Sequence, residues 1–387
     1  MKKELTILGS TGSIGSNALS IPGIGKDFSM LAFVAGKDVN CLTRQAKEFR
    51  PKYAVIADNA MYAELKENLF GSRIKIMAGY DAVNEIASKT TDVVLSAISG
   101  SAGIEPTYHT INKTEKLAIA NKESIVVAGS LLFNKEINKS TNIVPVDSEH
   151  NAIYKLLNYT KAENLHNIIL TASGGPFLNT DIDDLSKVTV EEALKHPTWN
   201  MGKKITIDSS ALINKGLELI EATYLFNINQ KYITVMVHPQ SIVHAMVSMR
   251  DGTTLSLMSR ADMKIPISDA IYDNEKFPIF ENIEASDIKE LSFFDLDNKK
   301  FPTIDMARDA IDHGVNSIIT YNAASEVAVE SFITGKISFL DIFNVIKESL
   351  NYSKKIEQKV SKNNIEHILL LNKNAKDFAT SFIEKTL

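Results

Sequence analysis

From residue 4 to about 147, seven short β-rich runs alternate with helix-like segments: LTIL, SMLAFVAG, YAVIA, KIMAG, DVVLSAISG, KLAIANKE and NIVPVD. Strands covered on both faces read as unbroken apolar runs, and parallel neighbours need a crossover between them. The alternation therefore predicts a parallel sheet covered by helices.

A chain of 387 residues exceeds one ordinary core, so further domains are expected. After about residue 148 the pattern changes. NIILTASGG, ITVMVHPQSIVHAMVSM and GTTLSLMS supply strands, two of them joined at Asp251-Gly252, and predict an α+β domain with an open sheet. Residues 273–300 carry a proline and polar turns, as a surface linker would. From Ile304 onward the chain reads as helical. The expected division is 1–147, 148–272, 273–300 and 301–387.

A net charge of −5 argues against nucleic acid as a partner, because phosphate-backbone binding needs clustered positive charge. Cys41 is the only cysteine, which excludes an internal disulfide and fits a reducing cytoplasm. No apolar run approaches the ~20 residues of a membrane span, and the start reads as a first strand rather than a signal peptide.

Gly9, Gly12 and Gly15 follow the first strand directly and open a helix. Glycines there let backbone approach a pyrophosphate, while the free N–H groups of the helix start hold its charge. The spacing is G-x-x-G-x-x-G, and a plain glycine turn is the alternative. After the second strand come Gly36 and Lys37, which suit the 2′-phosphate of NADP; Asp38 opposes it if its charge points inward, and is otherwise a solvated loop residue.

Asp147 and Glu149 flank Ser148. Two carboxylates about 4 Å apart repel by roughly 4 kcal/mol at an effective dielectric of 20, and a divalent cation would offset that. If the segment is extended, positions i and i+2 share a face and could grip one ion. Downstream, DSSALINKGLELIEA offers Asp208 or Ser209 as a helix cap, followed by Asn214, Lys215 and Glu218 on one face. Glu218 would complete an all-oxygen site suited to Mg²⁺ or Mn²⁺. The alternatives are a helix N-cap at Asp147 and an ordinary ion pair on a solvated helix face.

TASGGPF can cradle a phosphate through Ser173 and the backbone at Gly174 and Gly175, or can simply end a strand. KHPTWNMGKK places the only tryptophan, Trp199, near His196, Met201 and Gly202, as a mobile cover or a packing staple. ANKES ends a strand with Asn121, Lys122 and Glu123, where open α/β sheets bind ligands. His238 and His244 read as core or interface histidines rather than metal ligands.

Taken in order, GSTGSIG, AGK, ANKES, PVDSEHNAI, SGGPF, HPTWNMG, DSSALINKGLE, VHPQSIVH and NAASEVAV closely resemble the 1-deoxy-D-xylulose 5-phosphate reductoisomerase family. The resemblance implies an α/β architecture: an N-terminal Rossmann-like NADPH-binding domain, a central catalytic domain with a flexible loop, a linker and a C-terminal helical bundle, in a homodimer. It implies Asp147, Glu149 and Glu218 as ligands of Mg²⁺ or Mn²⁺. Ser148, Ser173, His196, Trp199, Ser209, Asn214 and Lys215 would meet substrate, with Lys122 reaching it, and Ser173, Ser209, Asn214 and Lys215 would hold its phosphate. Thr11, Gly12, Ser13, Ile14, Gly36, Lys37, Asp38, Asn121, Glu123 and Gly202 would contact NADPH.

The chain departs from the usual family pattern at Asp38, where Asn is common, at Ser210 to Ile213, commonly Ala-Thr-Leu-Met, and at Ser325, commonly Asn. The implied reaction rearranges 1-deoxy-D-xylulose 5-phosphate and reduces it to 2-C-methyl-D-erythritol 4-phosphate, in non-mevalonate isoprenoid biosynthesis. Two rivals share the first domain only: a metal-independent dehydrogenase, which a chelator would not affect, and an NADPH sensor, which would bind without turnover.

Overall fold

The computed structural model describes residues 2–160, 162–199, 202–272, 278, 280–355 and 364–386. The chain separates into two compact units, Met1–Ser124 with Leu132–Asn151 and Asp262–Glu281, and Ile125–Leu131 with Ala152–Ala261 and Asn282–Leu387.

The first unit holds seven strands, β1 (Lys3–Leu8), β2 (Phe28–Ala35), β3 (Tyr53–Ile56), β4 (Lys75–Ala78), β5 (Thr91–Ser96), β6 (Thr114–Ile119) and β7 (Asn142–Pro145). These are the seven runs that the sequence singles out. All pairings are parallel, in the order β4-β3-β2-β1-β5-β6-β7. The chain runs outward from β1 to β4, then returns to place β5 on the other side of β1. Every strand's carboxyl end therefore lies along one edge, and the topology reverses between β1 and β5, where open α/β sheets bind ligands.

Helices α1 (Ser13–Leu19), α2 (Ile24–Asp27), α3 (Val39–Phe49), α4 (Tyr62–Asn68), α5 (Tyr80–Ala87) and α6 (Ile104–His109) supply the crossovers. Helices α7 (Lys122–Leu132) and α8 (Ser148–Asn158) follow β6 and β7, and the division between the units falls inside both. Further along lie α9 (Val190–Ala193), α10 (Lys203–Ser210), α11 (Ile213–Leu225) and α12 (Lys264–Ile271).

Helix α12 belongs to the first unit, although it is distant in sequence. It buries Pro266, Ile267, Ala270 and Ile271 and packs on α1, β5, β6 and β7. Tyr272 fixes its end: the hydroxyl donates to Asp27 Oδ2 at 3.0 Å, the ring meets Phe28 edge-on, and its carbonyl accepts from Lys116 Nζ at 2.8 Å.

The second unit is built on an open sheet of β8 (Leu165–Ala172), β9 (Ile233–Val237), β10 (Val243–Met249), β11 (Thr254–Met258) and β12 (Phe294–Asp295), in the order β11-β10-β8-β9-β12. β10 and β11 form the expected hairpin, with Gly252 at φ +90°, a conformation that glycine adopts without strain. β12 adds antiparallel to β9 within the stretch expected as a linker; two residues in polar company leave no periodicity to read. Part of that stretch, 273–277 and 279, lies outside the described residues.

Helices α13 (Thr303–His313), α14 (Val315–Ile333), α15 (Phe339–Ser353) and α16 (Ile365–Thr386) complete this unit, with α14 packed against the other three. Phe339 meets Phe177, Phe332 and Phe343 edge-on in the core. The α/β class, with a parallel Rossmann-like sheet, a second sheet and C-terminal helices, is the one that the sequence predicts.

Candidate active site

The glycine loop stands at the topological reversal. Gly9 and Ser10 both donate to the Val34 carbonyl, at 2.9 and 2.8 Å, which ties the turn to the end of β2. A Cβ on Gly9, at φ +90°, would lie 2.5 Å from the Ala97 carbonyl oxygen beyond β5, and one on Gly15 would lie 2.4 Å from Gly9 O. Close packing thus explains those two glycines. At Gly12 the nearest atom to such a Cβ is 3.5 Å away, and Thr11, Gly12, Ser13 and Ile14 are exposed or half-buried. Gly12 caps α1 with no side-chain acceptor, so the first-turn N–H groups are left for a partner outside the helix.

Gly36, Lys37 and Asp38 are exposed beyond β2. Asp38 fits neither sequence reading: it is the N-cap of α3, and its Oδ1 accepts from Cys41 N at 2.9 Å. Its charge is directed at the positive end of a helix.

Asn121 is buried, and its side chain is turned inward. Nδ2 donates to the carbonyls of Ile98 and Gly100 and to Glu123 Oε2, while Oδ1 accepts from Ser124 N. The parallel register sets Ile119 of β6 beside Pro145 of β7, so the residues just past both strands meet. Lys122 Nζ stands 2.7 Å from Asp147 Oδ2, with both side chains largely buried.

The extended geometry considered for Asp147 and Glu149 is not what forms. Asp147 precedes α8 and its carbonyl accepts from Asn151 N at 2.8 Å, while Glu149 sits in the first turn of that helix. An Asp-Ser-Glu start favours a helix because the carboxylates complement its positive end. Ser148 does not point away, since its Oγ donates to Glu149 Oε2 at 2.6 Å.

The face predicted on α11 does form. Asn214 Nδ2 and Lys215 Nζ donate to the two carboxylate oxygens of Glu218. It is not a solvated face: Lys215 is 4% exposed and Glu218 0%. Asp208 and Ser209 do not cap this helix. They lie in the last turn of α10, and Leu212, at φ +53°, turns the chain into α11.

His196 joins two serines expected at the phosphate. Its Nε2 is 3.1 Å from Ser173 Oγ and 3.2 Å from Ser209 Oγ, while Nδ1 accepts from Thr198 N and Trp199 N. The proton therefore sits on Nε2, and burial pushes the imidazole below its ordinary 6.5, toward the neutral form. Gly174 and Gly175 have φ of +85° and +68°, and a Cβ on Gly175 would lie 3.0 Å from Ser209 O. Only glycine lets the β8 turn approach α10 so closely.

Profiles for 1-deoxy-D-xylulose 5-phosphate reductoisomerase match residues 5–129, and its C-terminal domain profiles match 143–226 and 258–378. A 1-deoxy-D-xylulose 5-phosphate reductoisomerase of Anaplasma phagocytophilum is 42% identical over 354 residues, covering 90% of this chain and 91% of that one. The chain belongs to the 1-deoxy-D-xylulose 5-phosphate reductoisomerase family. A reductoisomerase structure from Zymomonas mobilis, in complex with NADPH, aligns at TM-score 0.89 with 35% identity over all of both chains. A DOX-P reductoisomerase in complex with NADPH, fosmidomycin and magnesium aligns at TM-score 0.91 with 34% identity over 99% of this chain and 98% of that one.

Two departures from the family's usual residues have visible partners. Ser210 Oγ donates to the carbonyls of Ala193 and Thr206, and Ser325 Oγ to that of Tyr321. Trp199 is half-buried with its ring 6.3 Å from that of His244, Gly202 is the exposed N-cap of α10, and Met201 lies outside the described residues. His238 and His244 are structural: His238 stacks on Phe293 and takes two backbone N–H groups at Nε2, and His244 bonds Ser259. His150 escaped the sequence reading. It is fully buried with Nδ1 3.9 Å from Asp147 Oδ2, and its signal was the i, i+3 spacing within DSEH.

Proposed function

We propose that this chain converts 1-deoxy-D-xylulose 5-phosphate to 2-C-methyl-D-erythritol 4-phosphate, using NADPH and a divalent cation. The observation that carries the reading is the likeness, along essentially the whole chain, to a reductoisomerase whose structure holds NADPH, fosmidomycin and magnesium. The loops at the sheet's carboxyl edge, Thr11 to Ile14, Gly36 to Asp38, and Asn121 with Glu123, would take the nucleotide, with Gly202 completing its contacts.

Asp147, Glu149 and Glu218 are the proposed ligands of one ion. The donor set fits: it is all carboxylate oxygen, as Mg²⁺ and Mn²⁺ require, and Glu218 is held in place by Asn214 and Lys215. When bound, the ion supplies Lewis acidity to neighbouring substrate oxygens, and NADPH supplies the hydride.

The chain's own groups do the rest. Ser173, Ser209, Asn214 and Lys215 hold the phosphate, and neutral His196 donates its Nε2–H beside them. Lys122 keeps a positive charge at the end of β6 to meet substrate oxygen, Ser148 orients Glu149, and Glu149 moves a proton during the rearrangement. Trp199 belongs to a cover that limits water. The functional division 1–147, 148–272, 273–300 and 301–387, a homodimeric assembly and a cytoplasmic setting complete the proposal; among the described residues no helix is long and apolar enough to cross a membrane.

The test is NADPH absorbance on adding 1-deoxy-D-xylulose 5-phosphate, with Mg²⁺ or Mn²⁺ and again with excess chelator. Oxidation requiring both substrate and metal supports the reading. Oxidation indifferent to chelator would make the protein a plain dehydrogenase, and binding without oxidation would make it a sensor.

A further inference from the structure

Asp38 stands in the loop that would meet the 2′-phosphate of NADPH, and a free carboxylate there would repel it. The structure engages that carboxylate in capping α3 at Cys41 N. One turn beyond Cys41, the Arg44 guanidinium folds back along the helix, its Nη2 donating to Cys41 Sγ at 3.4 Å. Arg44 thus leans toward the helix start rather than away from it. Positions 37, 41 and 44 recur at helical spacing, so Lys37 and Arg44 flank the same stripe at its two ends. Both are exposed, and nothing lies within 4 Å of where a Cβ on Gly36 would stand, so the loop is open to a ligand.

The remaining side of the glycine loop is bound to the same helix. Gln45, next to Arg44, is buried and donates through Nε2 to the Ser10 carbonyl at 2.9 Å. Helix α3 is therefore held in register with the nucleotide loop. A guanidinium matches a phosphate with paired N–H donors and stays charged at any working pH.

We propose that Arg44 is a specificity-determining residue that recognises the 2′-phosphate of the dinucleotide together with Lys37, while Asp38 serves as a helix cap. This rests on the NADPH reading above. Arg44 exchanges its weak thiol contact for the phosphate, and the charge it brings offsets that of Asp38.

The test is calorimetric titration of the intact protein with 2′,5′-ADP and with ADP, which lacks the 2′-phosphate. Wild type should bind 2′,5′-ADP the more tightly. Arg44→Gln should weaken 2′,5′-ADP about tenfold, the scale of one lost charge-assisted contact, and leave ADP unchanged. Arg44→Lys should recover part of the loss. Equal affinities of Arg44→Gln and wild type for 2′,5′-ADP would overturn the role of Arg44 while leaving the NADPH reading intact. Equal loss for both ligands would assign Arg44 to the fold instead. Failure of wild type to distinguish the two ligands would overturn the NADP reading itself, and Arg44 recognition with it.

Discussion

Glu218 has two jobs that substitution must separate. Its carboxylate is fully buried against Lys215, so Glu218→Ala leaves an uncompensated buried ammonium and should cost about 3–5 kcal/mol of stability as well as activity. Glu218→Gln keeps the shape and one acceptor. It should retain a melting temperature much nearer to wild type while losing at least about 100-fold in kcat, the scale of a disrupted metal site. Near-normal metal-dependent turnover in Glu218→Gln would remove Glu218 from the ligand set. His196 makes a prediction about pH. Burial lowers its folded pKa below the ordinary 6.5, so above that pH both states are neutral and the group adds no pH dependence. Below it the unfolded chain takes the proton more readily, and stability falls with acidity until the folded pKa is reached. Melting curves from pH 7 to 5 should therefore show a shallower decline for His196→Gln than for wild type; parallel declines would count against the neutral tautomer.

Among elements, α11 shows how much the packing demands of one position. A Cβ on Gly216, between Lys215 and Glu218, would come within 2.1 Å of the hydroxyl of Tyr321, which is fully buried and donates to the Thr303 carbonyl. Gly216→Ala should destabilise by about 1–3 kcal/mol despite the better helix propensity of alanine, because α11 must shift from α14. A melting temperature unchanged or raised would show that the tyrosine yields freely. The same helix marks what the sequence could and could not convey. Its polar spacing was legible, since i, i+3 and i, i+4 neighbours follow from helix geometry alone. Its burial was not, because α13 and α14, which pack against it, lie far along the chain. The seven parallel strands were legible as apolar runs closed by Gly, Asp or Asn. The start of α8 was not, because Asp-Ser-Glu is compatible with both an extended pair and a capped turn, and only the chain beyond decides.

For the whole molecule, connectivity sets the consequences. The parallel sheet looks complete at β7, yet α12, over a hundred residues later, covers β5, β6 and β7 with its buried isoleucines. A fragment ending at residue 151 retains every strand of the sheet but exposes that face. It should be recovered in aggregates or bind a hydrophobic dye, and adding a peptide spanning 262–281 should reduce the dye signal; a stable, monomeric, dye-silent fragment would contradict this. The same feature governs how the protein is made. Ribosomes deliver about 5–20 residues per second, so roughly ten seconds separate the emergence of residue 151 from that of residue 281. For that interval the nascent nucleotide-binding sheet waits with one face uncovered while another sheet is being synthesised. The last piece of the first unit to be built is also the piece that seals it, which makes this chain a natural client for chaperones that shield apolar surface at the ribosome exit.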